Sequence, residues 1–307
     1  MTLHASIDIG SNSILLLLAN IRNENIEILE NHSHVTGLGR DLDKNGAFIQ
    51  EAMDDSFSVL KNYSEICKKH NFDPACIIAT ATEASRVAQN STEFYSKVEQ
   101  ELGIKVKIIN AKGEAYYSAM GILFDKKITE DIITIMDIGG ASTELIKVDV
   151  KNETVLNSFS MPIGAVRMNN WLQENSLEQN LNNVLSNFEL QLDKVNCHKL
   201  YCVAGTMTSV GNMYLNHRDF IESEVNGLEF NKIEIDNMLL EYKEFSPDVF
   251  LQTFPFLGKR SKTIKSGLIL AQSIMNKLNN EIVYISTYGL RYGTLLAGKI
   301  NNNFIGQ

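Results

Sequence analysis

The chain has 307 residues, 44% of them hydrophobic and 21% charged, which is enough for two globular domains with full cores. Its net charge of −9 argues against broad nonspecific binding of duplex nucleic acid, because such binding needs a basic surface. No apolar run approaches the roughly 20 residues of a membrane-spanning helix, and we find no secretion signal, so we expect a cytoplasmic protein without a membrane partner.

The first half of the chain is predicted to have a strand-rich start and then alternating helices and strands. Apolar residues recur every three or four positions over 49–69, which predicts an amphipathic helix. Asn90 and Glu93 form a capping-box pattern, which predicts a helix that begins there and runs to Leu102. The predicted strands are 3–9, 13–21, 26–30, 75–80 and 105–109, and two further helices are predicted over 82–87 and 113–123.

The second half of the chain repeats the strand-rich start with a predicted hairpin over 132–150. A strand over 200–204 leads into Gly205-Thr206, which is predicted to open a helix. The other predicted strands are 155–161 and 282–286, and the other predicted helices are 165–172, 177–193, 233–242, 264–278 and one after Leu290.

Both halves begin with strands and continue with alternating helices and strands, which predicts an α/β fold with two related domains. A polar, charged stretch over 125–131 marks the expected joint. The expected domains are therefore 1–124 and 125–307, with the last helix, about 290–307, as a candidate addition to the first domain.

Two short segments of the chain are near-copies of each other, 129 positions apart from Asp8 to Asp137. The first reads DIGSNS over 8–13, and the second reads DIGGASTE over 137–144. Each is predicted to be a strand, a tight turn and a second strand. Glycine lets the backbone approach a ligand closely, and successive turn amides form a concavity that binds anions. The repetition therefore predicts two phosphate-binding turns.

Several common motifs of phosphate and hydrolase chemistry are absent from the sequence. There is no GxxxxGK[ST] loop, no GxGxxG, no HExxH and no GxSxG, and the four cysteines lack metal-site spacing. What remains is a chemistry of Asp, Gly, Ser and Thr, which suits a metal-bound polyphosphate.

Asp137 and Glu144 are the metal candidates, because Mg²⁺ takes one or two carboxylates and fills its other positions with water and phosphate oxygens. The alternatives are a turn-capping Asp and a solvent-facing Glu.

Glu114 lies in the first turn of the helix predicted after strand 105–109. A carboxylate there is stabilised by the helix dipole, and the pattern alone favours this structural interpretation. The functional alternative is a general base that activates a water.

Three other features are candidates for phosphate contacts. Gly205-Thr206 would lie at a helix N-terminus, where Thr206 is alternatively an ordinary N-cap. Arg86 and Arg291 each carry a guanidinium fork that matches phosphate oxygens, and the alternative for each is a surface ion pair.

A basic cluster occupies 259–265, directly before and at the start of the predicted helix 264–278. Cations at a helix N-terminus oppose the macrodipole, so the cluster favours a nearby anion, and the alternative is a solvated helix end. Its members, Lys259, Arg260, Lys262 and Lys265, are weak candidates for contact with polyphosphate.

In their order and spacing, six segments resemble the exopolyphosphatase/guanosine pentaphosphate phosphatase family of the actin–Hsp70–sugar kinase superfamily. The segments are DIGSNS at 8–13, ATEASRVA at 81–88, NAKGEAYYSAMG at 110–121, DIGGASTEL at 137–145, VAGTMTS at 203–209 and YGLRYGTL at 288–295. The resemblance covers nearly the whole chain. It implies two related actin-like (ribonuclease H-like) domains with a cleft between them.

The resemblance also implies hydrolysis of the terminal phosphoanhydride of inorganic polyphosphate, of guanosine pentaphosphate, or of both, with Mg²⁺ or Mn²⁺. It makes Glu114 the leading candidate for the general base, together with Arg86 as a catalytic residue, and assigns the metal to Asp137 and Glu144. The implied phosphate-binding residues are Asp8, Gly10, Ser11, Asn12, Ser13, Gly139, Gly140, Ala141, Ser142, Gly205, Thr206 and Arg291.

The sequence departs from the family at three positions. Ala141 stands where a third glycine is usual, and its Cβ is expected to crowd the phosphate. Lys262 and Arg40 stand where acidic residues are common, which favours an anionic ligand.

Two other functions stay open from the sequence: an actin-fold kinase that uses ATP, and a noncatalytic sensor of polyphosphate or of the alarmone. A homodimer is a candidate assembly, since dimers are the commonest homo-oligomers.

Overall fold

The computed structural model describes residues 2–22 and 25–306. The chain divides into two compact units. Unit 1 comprises Met1–Gly121 with Leu290–Gln307, and unit 2 comprises Ile122–Gly289. Each unit contains one β-sheet with helices, and none of the helices in the described ranges is both long and apolar enough to cross a membrane.

Unit 1 is built on a five-stranded sheet in the order β3-β2-β1-β4-β5. Its strands are β1 Thr2–Ile9, β2 Ser13–Arg22, β3 Asn25–Val35, β4 Ile78–Ala81 and β5 Val106–Ile108. Its helices are α1 Leu42–Asn45, α2 Gln50–Lys69, α3 Glu83–Val87, α4 Ser91–Leu102 and α5 Ala111–Ile122, with the last helix of the chain, α14 Leu290–Ala297. Short 3₁₀ turns lie at Pro74–Cys76 and Asn302–Phe304.

The core of unit 1 explains why strand β2 is apolar over most of its length. Ile14, Leu16 and Leu18 of β2 pack with Leu60 and Tyr63 of α2 in one buried cluster. Helix α14 packs against β1 and β2, and Leu17 of β2 is also fully buried. Strands that are buried on both faces read as continuous apolar runs rather than as alternating ones.

Unit 2 is built on a six-stranded sheet in the order β10-β11-β9-β6-β7-β8. Its strands are β6 Ile132–Ile138, β7 Thr143–Asp149, β8 Thr154–Met161, β9 Lys199–Val203, β10 Glu229–Asn231 and β11 Ile282–Ile285. Its helices are α6 Ala165–Gln173, α7 Leu177–Asn187, α8 Glu189–Val195, α9 Ala204–Tyr214, α10 Glu222–Val225, α11 Lys232–Glu241, α12 Pro247–Thr253 and α13 Ile264–Leu278. A 3₁₀ segment, Pro255–Lys262, precedes α13.

The two sheets share one topology. In unit 1, β1 pairs antiparallel with β2, β2 antiparallel with β3, and β4 joins β1 in parallel. In unit 2, β6, β7, β8 and β9 repeat this arrangement. Both units also carry a register irregularity at the same place in the repeat, between Leu18 and Ala19 and between Lys147 and Val148. The near-copied segments therefore belong to two copies of one structural plan, and the predicted α/β fold class is confirmed.

Some predicted elements differ from the structure for local reasons. The predicted strand 75–80 begins only at Ile78, because Asp73 accepts a hydrogen bond from the Ala75 amide and closes a 3₁₀ turn. The predicted helix 177–193 is two helices, which meet at Phe188 with non-helical φ and ψ of −107° and 9°.

The predicted capping box at Asn90 is wrong. A helix does begin at Ser91, but the Asn90 side chain makes no cap hydrogen bond. Its amide instead accepts from the amide of Phe48 at 2.8 Å and donates to the Phe48 carbonyl at 3.0 Å. A distant partner in the sequence thus takes the side chain that the local pattern assigned to the helix.

Candidate functional site

The two repeated turns have the same internal hydrogen bond. In the first turn, the amide of Gly10 donates to the carbonyl of Ser13 at 3.0 Å. In the second turn, the amide of Gly139 donates to the carbonyl of Ser142, also at 3.0 Å. Each turn thus closes a hairpin between the first two strands of its unit, at the end of a strand that carries Asp8 or Asp137.

Backbone amides of residues 36–39 donate hydrogen bonds to the carbonyls of the first turn. The amide of Gly39 donates to the Ser11 carbonyl at 2.7 Å, and the amides of Thr36 and Gly37 donate to the Asn12 carbonyl at 3.0 Å. In a trans peptide the C=O and N–H groups point in opposite directions. The amide hydrogens of Asn12 and Ser13 are therefore directed away from this supporting segment.

The second turn is held in the same way by the start of α6. The amide of Ala165 donates to the Gly139 carbonyl, and the amide of Val166 donates to the Gly140 carbonyl, both at 2.9 Å. The amide hydrogens of Gly140 and Ala141 are directed away from α6 by the same geometry. Successive amides oriented outward from a turn can bind phosphate oxygens.

Two glycines outside the repeats make this support possible. A Cβ at Gly164 would lie 2.5 Å from the carbonyl carbon of Gly140, and a Cβ at Gly39 would lie 3.0 Å from the Ser11 Cβ. Neither Gly164 nor Gly39 was among the residues predicted from the sequence. Their spacing from the repeated segments follows no motif, so no local signal in a single sequence marks them.

Arg167 is a further residue that the sequence analysis missed. It lies in the first turns of α6 and donates from Nη1 to the Ala141 carbonyl at 2.7 Å. This contact fixes the next peptide unit of the second turn, so that the amide of Ser142 also points away from Arg167.

The predicted metal carboxylates are neighbours in the structure of unit 2. Asp137 on β6 and Glu144 on β7 are directly opposed in the antiparallel register, so both side chains stand on one face of the sheet. Glu144 is only 3% exposed, and Ser160 of β8 donates to its Oε1 at 2.6 Å. In the first repeat Asp8 is opposed by Leu15, so the carboxylate pair is special to unit 2.

The donor set of Asp137 and Glu144 fits Mg²⁺ or Mn²⁺. Within residues 2–22 and 25–306, no group of three or more His, Cys, Asp or Glu side chains is arranged to hold a metal. Mg²⁺ does not need such a group, since it is usually held by one or two carboxylates together with waters and substrate phosphates.

Glu114 lies in the first turn of α5, as predicted, but it is nearly buried. Asn110 caps this helix, because its side-chain oxygen accepts from the Gly113 amide at 2.9 Å. The Glu114 side chain is 7% exposed and accepts one hydrogen bond at Oε2, from Nη1 of Arg86 at 2.9 Å. Burial argues against a purely solvated helix-end carboxylate and makes Glu114 a candidate for acid–base chemistry.

Burial raises the pKa of Glu114 above its usual value of 4.5. The positive charge and hydrogen bond of Arg86 oppose this rise, while the negative charge of Glu83 adds to it. A carboxylate whose pKa is moved toward neutral pH is a stronger base than an exposed one, which is the property that a general base needs.

Arg86 is committed to protein acceptors rather than free for a ligand. Besides Glu114, its Nη1 donates to the Ile109 carbonyl at 2.7 Å, and its Nη2 donates to Glu83 Oε2 at 2.7 Å. These contacts hold the guanidinium in a fixed place beside Glu114. A role as a phosphate clamp would require Arg86 to give up one of these partners, so the geometry favours a positioning role.

The segment after α14 packs against the start of α5. The carbonyl of Phe304 accepts from the Asn110 amide at 2.8 Å, and Ile305 forms a β-bridge with Ile109. The Phe304 ring lies against Tyr116 and Tyr117 of α5, with centroids 5.0 and 5.6 Å away. The first turn of α5, which carries Glu114, is therefore supported by residues almost 200 positions later in the chain.

Replacing Phe304 by Ala is expected to lower the free energy of unfolding by about 2 kcal/mol, because a partly buried ring is removed. It should also lower the catalytic rate about 10-fold, since the turn that carries Glu114 loses its support. Thermal unfolding and amide exchange of residues 111–117 measure the two effects. Asn302→Ala, an exposed change in the same turn, is the control, and equal effects of both changes would contradict this assignment.

The turn between β9 and α9 in unit 2 has an unusual backbone. Ala204 adopts a φ of +65°, which L-residues other than glycine seldom do, and such strain is often found at functional sites. Gly205 and the buried Thr206 follow it in the first turn of α9. Its role as a phosphate contact stays a prediction.

The basic cluster over 259–265 does not act as one surface. Arg260 is partly buried, donates from Nη1 to Ser209 Oγ at 3.0 Å, and has its pKa lowered to about 10 by burial. Its guanidinium lies against Gly205, at the β9–α9 turn. Lys259 and Lys262 are exposed, while Lys265 donates to the Lys243 carbonyl after α11.

Arg291, a predicted phosphate contact, and Arg40, a departure from the family, both have partners within unit 1. The Arg291 guanidinium lies over the Tyr292 ring, 5.5 Å from its centroid. It is also close enough to lower the pKa of Tyr63, which burial raises. Arg40 pairs with Glu51 at 2.8 Å on the surface, which accounts for its charge without a ligand.

Comparisons with known proteins agree with this architecture. A family model described as the Ppx/GppA phosphatase family matches residues 17–300. The chain is 30% identical over 317 aligned positions to a bifunctional 3-dehydroquinate synthase/phosphatase of Fusobacterium nucleatum, with 97% of this chain and 47% of that protein covered. The chain thus spans about half the length of this curated relative.

Solved structures resemble the whole chain. A PPX-GPPA enzyme of Aquifex aeolicus is 25% identical with a TM-score of 0.77, and the match covers 96% of this chain and 99% of that one. An exopolyphosphatase of Cytophaga hutchinsonii is 22% identical with a TM-score of 0.83, and the match covers 97% and 99%. The predicted actin-like domain architecture is confirmed at the level of fold.

Proposed function

The chain belongs to the Ppx/GppA phosphatase family, and we propose that it is a metal-dependent exophosphatase that removes the terminal phosphate of a phosphoanhydride chain. The proposed substrate is inorganic polyphosphate, guanosine pentaphosphate, or both. Water, activated by Glu114, attacks the terminal phosphorus.

The observation that carries this proposal is the environment of Glu114. Its carboxylate is nearly buried, its pKa is raised by that burial, and Arg86 holds it from one side only. A base of this kind can accept a proton from water as the water attacks. Phosphoryl transfer depends on positioning and charge neutralisation, so no serine or cysteine nucleophile is required.

The proposed phosphate ligands are backbone amides and hydroxyls of the two repeated turns. Ser11, Asn12 and Ser13 in unit 1, and Gly140 and Ser142 in unit 2, are proposed to contact phosphate oxygens. For Asn12, Ser13, Gly140 and Ser142, the support is the orientation of their amides away from the groups that hold the turn carbonyls. Ser11 is proposed from its place in the same turn. Gly205, Thr206 and Arg291 are proposed as further contacts.

Asp137 and Glu144 are proposed to hold Mg²⁺ or Mn²⁺. When bound, the ion would neutralise negative charge on the phosphate chain and so assist attack by an anionic or polarised water. Ser160 donates to Glu144 and keeps that carboxylate in one orientation.

The names of the relatives support the reaction class. The Fusobacterium relative is called a phosphatase in one of its two functions, and the Cytophaga structure is called an exopolyphosphatase. Each name describes that protein, and its transfer to this chain is part of the proposal.

The proposed function is tested by phosphate release from the purified protein with Mg²⁺, on long polyphosphate, guanosine pentaphosphate and ATP in parallel. Release from either of the first two, lost in Glu114→Gln, supports the exophosphatase and identifies its substrate. Binding of polyphosphate or alarmone without release would favour a sensor instead. Turnover of ATP alone would favour a kinase.

Replacing Asp137 by Asn is expected to raise the Mg²⁺ concentration for half-maximal phosphate release at least about 10-fold, because one of two carboxylates is lost. Isothermal titration with Mn²⁺ alone should show the same loss of affinity. The control is Asp131→Asn, an exposed carboxylate in the same unit. Unchanged Mn²⁺ affinity in Asp137→Asn would place the metal elsewhere.

A further inference from the structure

Glu83 shares Arg86 with the proposed general base. Glu83 and Arg86 lie three positions apart on α3, and neither side chain is more than one quarter exposed. Arg86 Nη2 donates to Glu83 Oε2 at 2.7 Å, and Arg86 Nε donates to the same oxygen at 3.2 Å. One guanidinium therefore lies between two carboxylates, those of Glu83 and Glu114.

The two carboxylates occupy different parts of the guanidinium. Nε and Nη2 form the edge that pairs best with a carboxylate, since two parallel N–H groups can donate together. Glu83 takes this edge, and only Nη1 is left for Glu114, at 2.9 Å. Nη1 is further fixed by the Ile109 carbonyl at 2.7 Å, so the guanidinium cannot easily rotate.

The consequence for Glu114 is that one carboxylate oxygen stays available. Arg86 contacts Oε2 alone, and in the chain from residue 2 to 22 and from 25 to 306 the structure shows no hydrogen bond to Oε1. A general base needs such an oxygen, because the attacking water must donate a proton to it.

We propose that Glu83 is a positioning residue: by occupying the Nε–Nη2 edge of Arg86, it limits Arg86 to one hydrogen bond with Glu114 and leaves Oε1 to accept a proton from water. The inference rests on the proposed function, in which Glu114 is the base. Glu83 itself contacts neither substrate nor water in this role.

The negative charge of Glu83 also favours Glu114 as a base, as the hydrogen-bond geometry does. The charged groups that act on Glu114 are Arg86 and Glu83, both on α3. Burial raises the pKa of Glu114, Arg86 lowers it, and Glu83 raises it again. Because Glu83 draws the guanidinium to itself, Glu114 remains a stronger base than it would be in a two-residue ion pair.

Glu83→Gln is the decisive variant, because it keeps the side-chain shape and removes the charge. A neutral amide can still accept the hydrogen bond but is a weaker acceptor than a carboxylate, so the positive charge of Arg86 then acts on Glu114 alone. We expect kcat to fall roughly 10-fold with KM changed less than about two-fold, since a group used in the chemical step is affected. The acid limb of the kcat–pH profile should move to lower pH, because Glu114 ionises more easily beside an undivided positive charge.

Glu93→Gln on α4 is the matched control, since Glu93 is an exposed first-turn carboxylate of unit 1, and it should behave as the wild type. Glu83→Asp retains the charge and should keep the acid limb near its wild-type position. Circular dichroism shows that each variant is folded. An unchanged kcat, an acid limb moved to higher pH, or an effect on KM alone in Glu83→Gln would overturn the inference.

A second readout separates this inference from the proposed function. Carbon-13 NMR of labelled glutamate, with Glu114 assigned by its absence in Glu114→Gln, follows the ionisation of Glu114 without turnover. A lower titration midpoint in Glu83→Gln supports the shared guanidinium even if the wild type releases no phosphate, which would refute only the proposed function. An unchanged midpoint would refute the role of Glu83 whatever the enzyme does.

Discussion

Replacing Glu114 by Gln is expected to lower the rate of phosphate release by about 10²–10⁴-fold, because the attacking water loses its general base. Gln has the same shape and can still accept the hydrogen bond from Arg86, so the surrounding structure should persist. The effect should fall on kcat rather than on KM, since Glu114 is proposed to act on water and not to bind the phosphate chain. The measurement is steady-state phosphate release over a range of substrate concentrations.

The same substitution should not destabilise the protein at neutral pH. Burial raises the folded-state pKa of Glu114 above its usual 4.5, so the folded protein holds this proton more tightly than the unfolded chain does. Its favourable contribution to stability is present below pH 4.5 and is lost as the pH rises through the folded-state pKa. Above the folded-state pKa the ionised carboxylate therefore costs stability, and Gln removes that cost.

Urea unfolding at pH 7.5 measures this second expectation. The Glu114→Gln variant should be at least as stable as the wild type while nearly inactive, the combination expected of a residue kept for function. A clear loss of stability together with near-wild-type activity would identify Glu114 as a structural partner of Arg86.

Replacing Gly164 by Ala is expected to lower kcat/KM by about 10²-fold or more, because the second repeated turn must move. The new Cβ would lie 2.5 Å from the carbonyl carbon of Gly140 and 2.7 Å from the carbonyl oxygen of Gly139. Gly164 has an extended backbone with φ of −146°, so the requirement is for space rather than for a special conformation. Misplacing a binding group by about 1 Å is enough for an effect of this size.

Gly211→Ala in α9 is the matched control for Gly164→Ala. Its new Cβ would meet side chains at ordinary contact distances of 3.4–3.5 Å, and alanine favours a helix. Thermal unfolding of both variants shows whether Gly164→Ala acts on the turn or on the whole unit. If Gly164→Ala retains wild-type kcat/KM, the second turn does not bind the substrate.

The sequence allowed the repeated plan to be predicted because both copies carry it in local signals. Asp8 and Asp137 are the penultimate residues of β1 and β6, and each hairpin has the same number of residues between its last paired positions, Ile9 with Ile14 and Ile138 with Thr143. In the structure, the repetition also includes the strand order and a shift in strand register after Leu18 in β2 and after Lys147 in β7. Local propensity and register point to the same answer in each copy, and such agreement makes a fold predictable.

The supports of the candidate site were not predictable in this way. Gly164 is recognised only when the start of α6 is seen against Gly140, and Phe304 only when the end of the chain is seen against α5. The roles of Arg167 and Glu83 depend on the direction of a guanidinium, which no spacing rule supplies. Local pattern even misled at Asn90, whose side chain binds the backbone of Phe48.

The central claim is that Glu114 activates a water that attacks the terminal phosphorus, and single-turnover hydrolysis in ¹⁸O-labelled water tests it most directly. The account predicts one ¹⁸O atom in the released phosphate and none in the shortened chain, at a rate that Glu114→Gln lowers by at least about 10²-fold. Label found in the shortened chain, or an unchanged rate in Glu114→Gln, would contradict it.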